Sequence, residues 1–201
     1  MKRLLLVSAA LALLAGGAKA SIIPTLVSVV PTGPNYDYTY AAALASDAGV
    51  VPGDELVIQD FAGFQGFGAL PADIVGSTEL TTDFIPAPGA KLVMPPGFTD
   101  DPTIPNIVFT YVGPPFHNKN GPFPEVDFTL SALSKYKTFH NDGFSAITIK
   151  NSGPSQGTPI YDVGATSVPT AIVPEPAGWA LMILGLGGAG ALVRRKRAAL
   201  A

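Results

Sequence analysis

Between Ser21 and Val173, short apolar or alternating runs are repeatedly interrupted by Pro, Gly, Asn and Asp, and this punctuation limits what the middle of the chain can build. Proline removes a backbone donor and glycine weakens a helix interior, so no amphipathic helix of ordinary length fits between the breaks. What remains predicts strands over residues 26–30, 36–44, 55–61, 78–85, 106–112, 126–133, 144–150 and 160–163. Val51-Pro52-Gly53-Asp54, Pro95-Pro96-Gly97 and Asn141-Asp142-Gly143 read as turns between them. Seven or eight strands with such spacing and no internal repeat predict an all-β ectodomain, an antiparallel β-sandwich or jelly-roll-like fold. A chain of 201 residues has room for one such core and its targeting segments.

The charge is unevenly placed. All four arginines, Arg3, Arg194, Arg195 and Arg197, lie at the two ends. Residues 21–173 hold five lysines against fourteen Asp and Glu, a net charge of −9. Nucleic acid binding needs clustered cations to neutralise phosphates, so this balance argues against a nucleic-acid partner. The chain contains no cysteine, which excludes disulfides, thiolate metal sites and cysteine nucleophiles.

Residues 1–20 begin with Lys2 and Arg3, continue as an apolar Leu/Ala stretch and end in Ala18-Lys19-Ala20. That three-part order is a secretory signal peptide, with cleavage by signal peptidase expected after Ala20. The apolar residues 4–15 would cover only about 18 Å as a helix, too little for a hydrocarbon core of about 30 Å.

The other end is different in kind. Residues 177–193 carry no charge, and as a helix they would span about 25 Å, which suits a short transmembrane segment. Trp179 stands where an interfacial aromatic belongs, and Arg194, Arg195, Lys196 and Arg197 form a cluster that stays on the cytoplasmic side. The run Gly185-Leu186-Gly187-Gly188-Ala189-Gly190 matches a dinucleotide-binding spacing by coincidence, because no strand precedes it and no acidic residue follows. Its small residues instead allow close helix approach.

Pro174-Glu175-Pro176, then Trp179-Ala180, the glycines Gly185, Gly187 and Gly190 within the apolar run, and Arg194, Arg195, Lys196 and Arg197 together resemble the PEP-CTERM sorting signal in its Pro-Glu-Pro-x-x-Trp-Ala variant. Leu181 and Leu186 depart from the methionine and phenylalanine of that variant, apolar for apolar. The resemblance implies passage through the general export machinery and transient holding in the inner membrane. It further implies processing near Pro174-Glu175-Pro176 by an exosortase-like membrane protease or transpeptidase, in a Gram-negative bacterium that makes extracellular polysaccharide. Physically, two prolines keep Glu175 in an extended chain into which a following helix cannot propagate. The expected organisation is a signal peptide at 1–20, the ectodomain at 21–173 and the sorting signal at 174–201.

Within the ectodomain no residue set announces chemistry. Tyr36, Tyr38 and Tyr40 share one face of a strand. They would form either a glycan-stacking platform or core packing, and packing is preferred because half-buried strands are rich in tyrosine. The opening of the ectodomain, with this strand, the 51–54 turn and Asp60-Phe61-Ala62-Gly63, is loosely similar to ectodomains of PEP-CTERM proteins. Phe61, Phe64 and Phe67 recur three apart among glycines, which suits a loop folded over one end of the sandwich, or an aromatic contact loop. His117 and His140 lack the spacing of a zinc site or catalytic triad. Ser131, Ser134 and Ser145 lack the context of a hydrolase nucleophile. Asp100, Asp101 and Asp142 lie in expected loops where calcium is conceivable, without the array of a calcium loop.

The sequence therefore predicts a non-enzymatic exported protein, without cofactor, whose ectodomain is structural or adhesive at the cell surface or in a polysaccharide matrix. A carbohydrate-binding or carbohydrate-processing module with the same sorting signal is the alternative.

Overall fold

The structure, a computed structural model, describes residues 22–80, 97–117, 125–151 and 153–171. The chain clusters into two units, Met1–Thr170 and Ala171–Ala201, and all described residues but Ala171 belong to the first. The expected signal peptide, the Pro95-Pro96 step and the whole sorting signal lie outside the described residues.

Eleven strands follow in order: β1 (Ile22–Thr32), β2 (Asn35–Leu44), β3 (Ala48–Val50), β4 (Glu55–Ile58), β5 (Phe64–Phe67), β6 (Ile74–Glu79), β7 (Asn106–Tyr111), β8 (Phe116–His117), β9 (Glu125–Ser134), β10 (Phe139–Lys150) and β11 (Pro159–Pro169). The described residues contain no helix. One sheet has the order β1-β2-β9-β5. In the other, β6-β7-β4 and the short pair β8-β3 share one edge of β10, and β11 takes the opposite edge. Every pairing is antiparallel.

The core lies between the sheets and is built on period-two alternation. In β2, Tyr38, Tyr40, Ala42 and Leu44 point inward and are fully buried. They meet Leu130 and Ala132 of β9, and Leu56, Ile58, Ile107, Phe109, Phe144 and Ala146 from the other sheet. Three irregularities bend the first sheet: the register slips between Leu26 and Ser28, leaving Val27 exposed, between Ala42 and Ala43 where β2 meets β9, and between Phe64 and Gly66 where β5 meets β9.

The predicted antiparallel all-β fold is present, with its elements redrawn in several places. Asn141-Asp142-Gly143 is not a turn but lies inside β10, paired with Ser167, Thr166 and Ala165. The polar groups that usually make such residues turn-formers are consumed within the strand. Asp142 Oδ1 accepts the Gly143 N–H at 2.7 Å, and Ser167 Oγ donates to Asn141 Oδ1 at 3.0 Å. The last strand runs from Pro159 to Pro169 rather than over 160–163. Gly164 sits against the Phe144 ring, where a Cβ would collide, so a residue that reads as a strand breaker is what lets the strand pass. Strand β6 begins four residues before the expected 78–85 stretch, and β4 ends at Ile58 rather than Phe61. The expected turn at 51–54 is present, closed by the Asp54 N–H donating to the Val51 carbonyl at 3.0 Å.

Candidate functional site

Tyr38 and Tyr40 are fully buried, which removes them as a glycan-stacking platform. The Tyr38 hydroxyl lies 3.1 Å from the carbonyls of both Tyr136 and Thr138 and donates its proton to them. The Tyr40 hydroxyl donates to the Ser167 carbonyl at 2.8 Å. Burial, with the neighbouring Tyr36 adding to it, pushes the Tyr38 phenol up to about 12. Burial raises Tyr40 well above its ordinary value, Tyr38 contributing second. Both rings are therefore neutral donors that fasten β2 to the β9–β10 connection and to β11. Tyr36 is half-buried and packs against the same core.

These bonds converge on the place where the chain leaves the sandwich. The Thr170 N–H donates to the Thr138 carbonyl at 2.8 Å, and Thr138 Oγ1 donates back to the Thr170 carbonyl at 2.7 Å. The Thr138 carbonyl thus receives both Tyr38 and Thr170. Nothing in the local sequence singles out Thr138 or Thr170, because the latch exists only when β11 returns beside β10.

Phe61, Phe64 and Phe67 do not form a free contact loop. Phe61 is fully buried, Phe64 and Phe67 pack against the core, and β5 pairs the latter two with the edge of β9. Their rings meet edge to face in a chain from Tyr38 through Phe61, Phe64 and Phe67 to Phe109, with centroid separations of 5.0 to 6.1 Å.

A carboxylate cluster gathers near the same end. Asp60 is the one non-glycine residue with positive φ among the described residues, at 49°. Its N–H donates to Asn106 Oδ1 at 2.8 Å, and its carboxyl accepts the Asp101 N–H at 3.0 and 3.2 Å. Asn106 Nδ2 in turn donates to Asp100 Oδ1 at 2.9 Å. Burial first, with Asp142, Asp100 and Asp101 adding repulsion against the favourable Asp101 N–H, raises the Asp60 carboxyl to about 7. Asp101 is itself held below the usual carboxylate range by the Thr103 backbone and hydroxyl. The three calcium candidates Asp100, Asp101 and Asp142 thus surround Asp60, which sequence reasoning did not include. Among the described residues no three acidic or histidine side chains assemble in a metal-binding geometry.

The remaining candidates are dispersed. His140 Nε2 lies 3.2 Å from Asp142 Oδ2, whereas His117 sits in β8 beside Gly49. Ser131 Oγ donates to Asp37, Ser134 Oγ to the Ala62 carbonyl at 2.7 Å, and Ser145 is buried within β10. A cavity of about 20 Å³, water-sized, lies toward the opposite end between Ile22, Val50, Tyr111, Phe128 and Leu130. Asp54 borders it, its carboxyl raised to about 6 by burial despite the Val51 N–H donated at 2.9 Å.

The built feature of the described domain is thus its exit, a latched strand end after which only Ala171 and Ile172 precede Val173. Among the described residues no helix is long and apolar enough to cross a membrane, and the expected membrane segment at 177–193 lies outside them. Comparison with curated proteins and with solved structures finds no match. Comparison with family models finds the PEP-CTERM protein-sorting motif at residues 173–197. That motif implies an exported, transiently membrane-anchored protein sorted to the surface, with exosortase as its processing partner. The chain carries a PEP-CTERM protein-sorting motif, placed immediately behind the last strand of a β-sandwich.

Proposed function

We propose that the sandwich is a non-enzymatic structural or adhesive module, delivered by its sorting motif to the cell surface or the polysaccharide matrix of a Gram-negative bacterium. The observation that carries the reading is the motif at 173–197, which follows β11 with no further domain between. Two of the three tyrosines that favoured a carbohydrate-binding or carbohydrate-processing module, Tyr38 and Tyr40, are spent on internal hydrogen bonds, which weakens that alternative.

In this reading Pro174, Glu175 and Pro176 mark the processing site, Trp179 and Ala180 complete the recognition element, and the apolar segment with Gly185, Gly187 and Gly190 holds the substrate in the bilayer. Arg194, Arg195, Lys196 and Arg197 fix its direction. Cell fractionation tests the reading. Wild-type protein is expected in the surface and matrix fractions, and the P174A/P176A variant in the inner-membrane fraction. Identical distribution of the two forms would refute the role of the motif. Catalytic turnover of an extracellular polysaccharide by the purified protein would refute the non-enzymatic part.

A further inference from the structure

The cavity at the end opposite the exit is apolar except at one corner. Ile22, Val50, Tyr111 and Phe128 line it, and Asp54 and Glu55 are the charged residues of its wall. Among the described residues no lysine, arginine or histidine lines it. Asp73, beside Tyr111, adds to the negative character of this end, and Lys150 is held by Asp47 at 3.6 Å.

The two wall carboxylates differ. Glu55 is partly exposed and accepts the Thr110 hydroxyl at 3.2 Å. Asp54 is only 7% exposed. Its Oδ2 accepts the Val51 N–H at 2.9 Å, whereas Oδ1 accepts no hydrogen bond among the described residues and no described cation comes within ion-pair distance. The turn fixes it there: the Gly53 N–H donates to the Tyr111 carbonyl at 2.8 Å, and the Tyr111 N–H to the Asp54 carbonyl at 2.8 Å. Burial raises this carboxyl to about 6, so it is still largely ionised at neutral pH. A carboxylate so placed is costly until a cation joins it.

The chain itself brings one to the same wall. Ile22 opens β1, is 5% exposed and pairs with Leu44, so the start of the strand has no slack. Ser21 is the next residue back, and its nitrogen lies about 5 Å from the Ile22 Cα. Before cleavage after Ala20 that nitrogen is an uncharged amide. Afterwards it is an α-ammonium, with an ordinary value of about 7.7–8.0 and hence protonated at neutral pH. The cavity, about 20 Å³, suits an ammonium or a water and is too small for a sugar or an acyl chain.

We infer that the cavity is the seat of the mature chain's own N-terminus, with the Ser21 ammonium entering beside Ile22 and pairing with Asp54 Oδ1. This rests on the expected signal-peptide cleavage after Ala20. The precursor keeps a buried carboxylate without its cation, so the sandwich gains its full stability only once signal peptidase has cut. The raised Asp54 value belongs to the uncut chain, and the ammonium lowers it in the mature one.

The test uses the chain from Ser21 to Ala201 in detergent, released from an N-terminal fusion so that Ser21 is the first residue. It is compared with the same chain acetylated at Ser21 and with a chain that retains Lys19-Ala20. By nitrogen-15 NMR the Ser21 amine is expected to titrate about one unit or more above its ordinary value, and to react with an amine reagent several-fold more slowly than the α-amine of the longer chain. Both differences should vanish in D54N, which keeps an acceptor for the Val51 N–H. The urea midpoint should be higher for the free than for the acetylated chain in wild type, and equal for the two in D54N. An ordinary amine value, unmoved by D54N, would overturn the inference. So would native mass spectrometry showing a small molecule retained by wild type and lost in D54N, since the cavity would then have another occupant. N-terminal sequencing of the exported protein tests the reading beneath: a start other than Ser21 would overturn the cleavage, whatever the amine of the defined chain does.

Discussion

The Tyr40 hydroxyl donates a 2.8 Å hydrogen bond to the Ser167 carbonyl, tying the second strand of one sheet to the last strand of the other. The bond is made inside a fully buried ring environment, so its loss cannot be compensated by water. Tyr40→Phe should destabilise the fold by about 1–3 kcal/mol, read as a lower urea midpoint at unchanged slope. Tyr36→Phe, at a half-buried position, should stay within about 0.5 kcal/mol.

Thr138→Val tests the exit latch. It preserves shape and removes the donor to the Thr170 carbonyl. Amide exchange at Thr170 and Pro169-flanking positions should accelerate while global stability falls by about 1 kcal/mol or less. Unchanged exchange would mean that the backbone bond alone secures the strand end.

Asp60 predicts a pH dependence of unusual sign for a carboxylate. Its carboxyl is raised to about 7 in the fold, from an ordinary value near 3.8. Between those values the folded state binds more protons than the unfolded chain, so stability falls as pH rises from about 4 to 7 and levels off above. Asp54, raised to about 6, acts in the same sense over a narrower window. The slope per group is at most about 1.4 kcal/mol per pH unit. Asp60→Asn, which tolerates the same backbone conformation and retains an acceptor for Asp101, should flatten the slope in denaturation measured from pH 5 to 8.

Gly164→Ala places a methyl group against the Phe144 ring and should cost about 1–3 kcal/mol through overpacking. The companion F144L, which shortens the obstacle, should recover part of that loss if the collision is its cause.

What the sequence disclosed follows from how locally each feature is determined. The alternation in 36–44 is a property of one strand, and it appears as Tyr38, Tyr40, Ala42 and Leu44 on the buried face. Asn141-Asp142-Gly143 misled because turn chemistry is a local prior, overruled here by eleven consecutive residue pairings between β10 and β11. Gly164 hid a strand for the same reason: its purpose is contact with Phe144, twenty residues away in sequence. The Asp60 cluster draws on positions 60, 100, 101 and 142, and only the fold makes them neighbours. The sorting motif was legible because its elements are consecutive in the chain and need no fold to bring them together.

Mass spectrometry of the mature C-terminus, in cells with and without the exosortase-like membrane protein, tests the central claim most directly. The account predicts a chain ending within or beside Pro174-Glu175-Pro176 and lacking Arg194, Arg195, Lys196 and Arg197 when the enzyme is present, and an uncut tail when it is absent. An intact Ala201 terminus in both strains would contradict it.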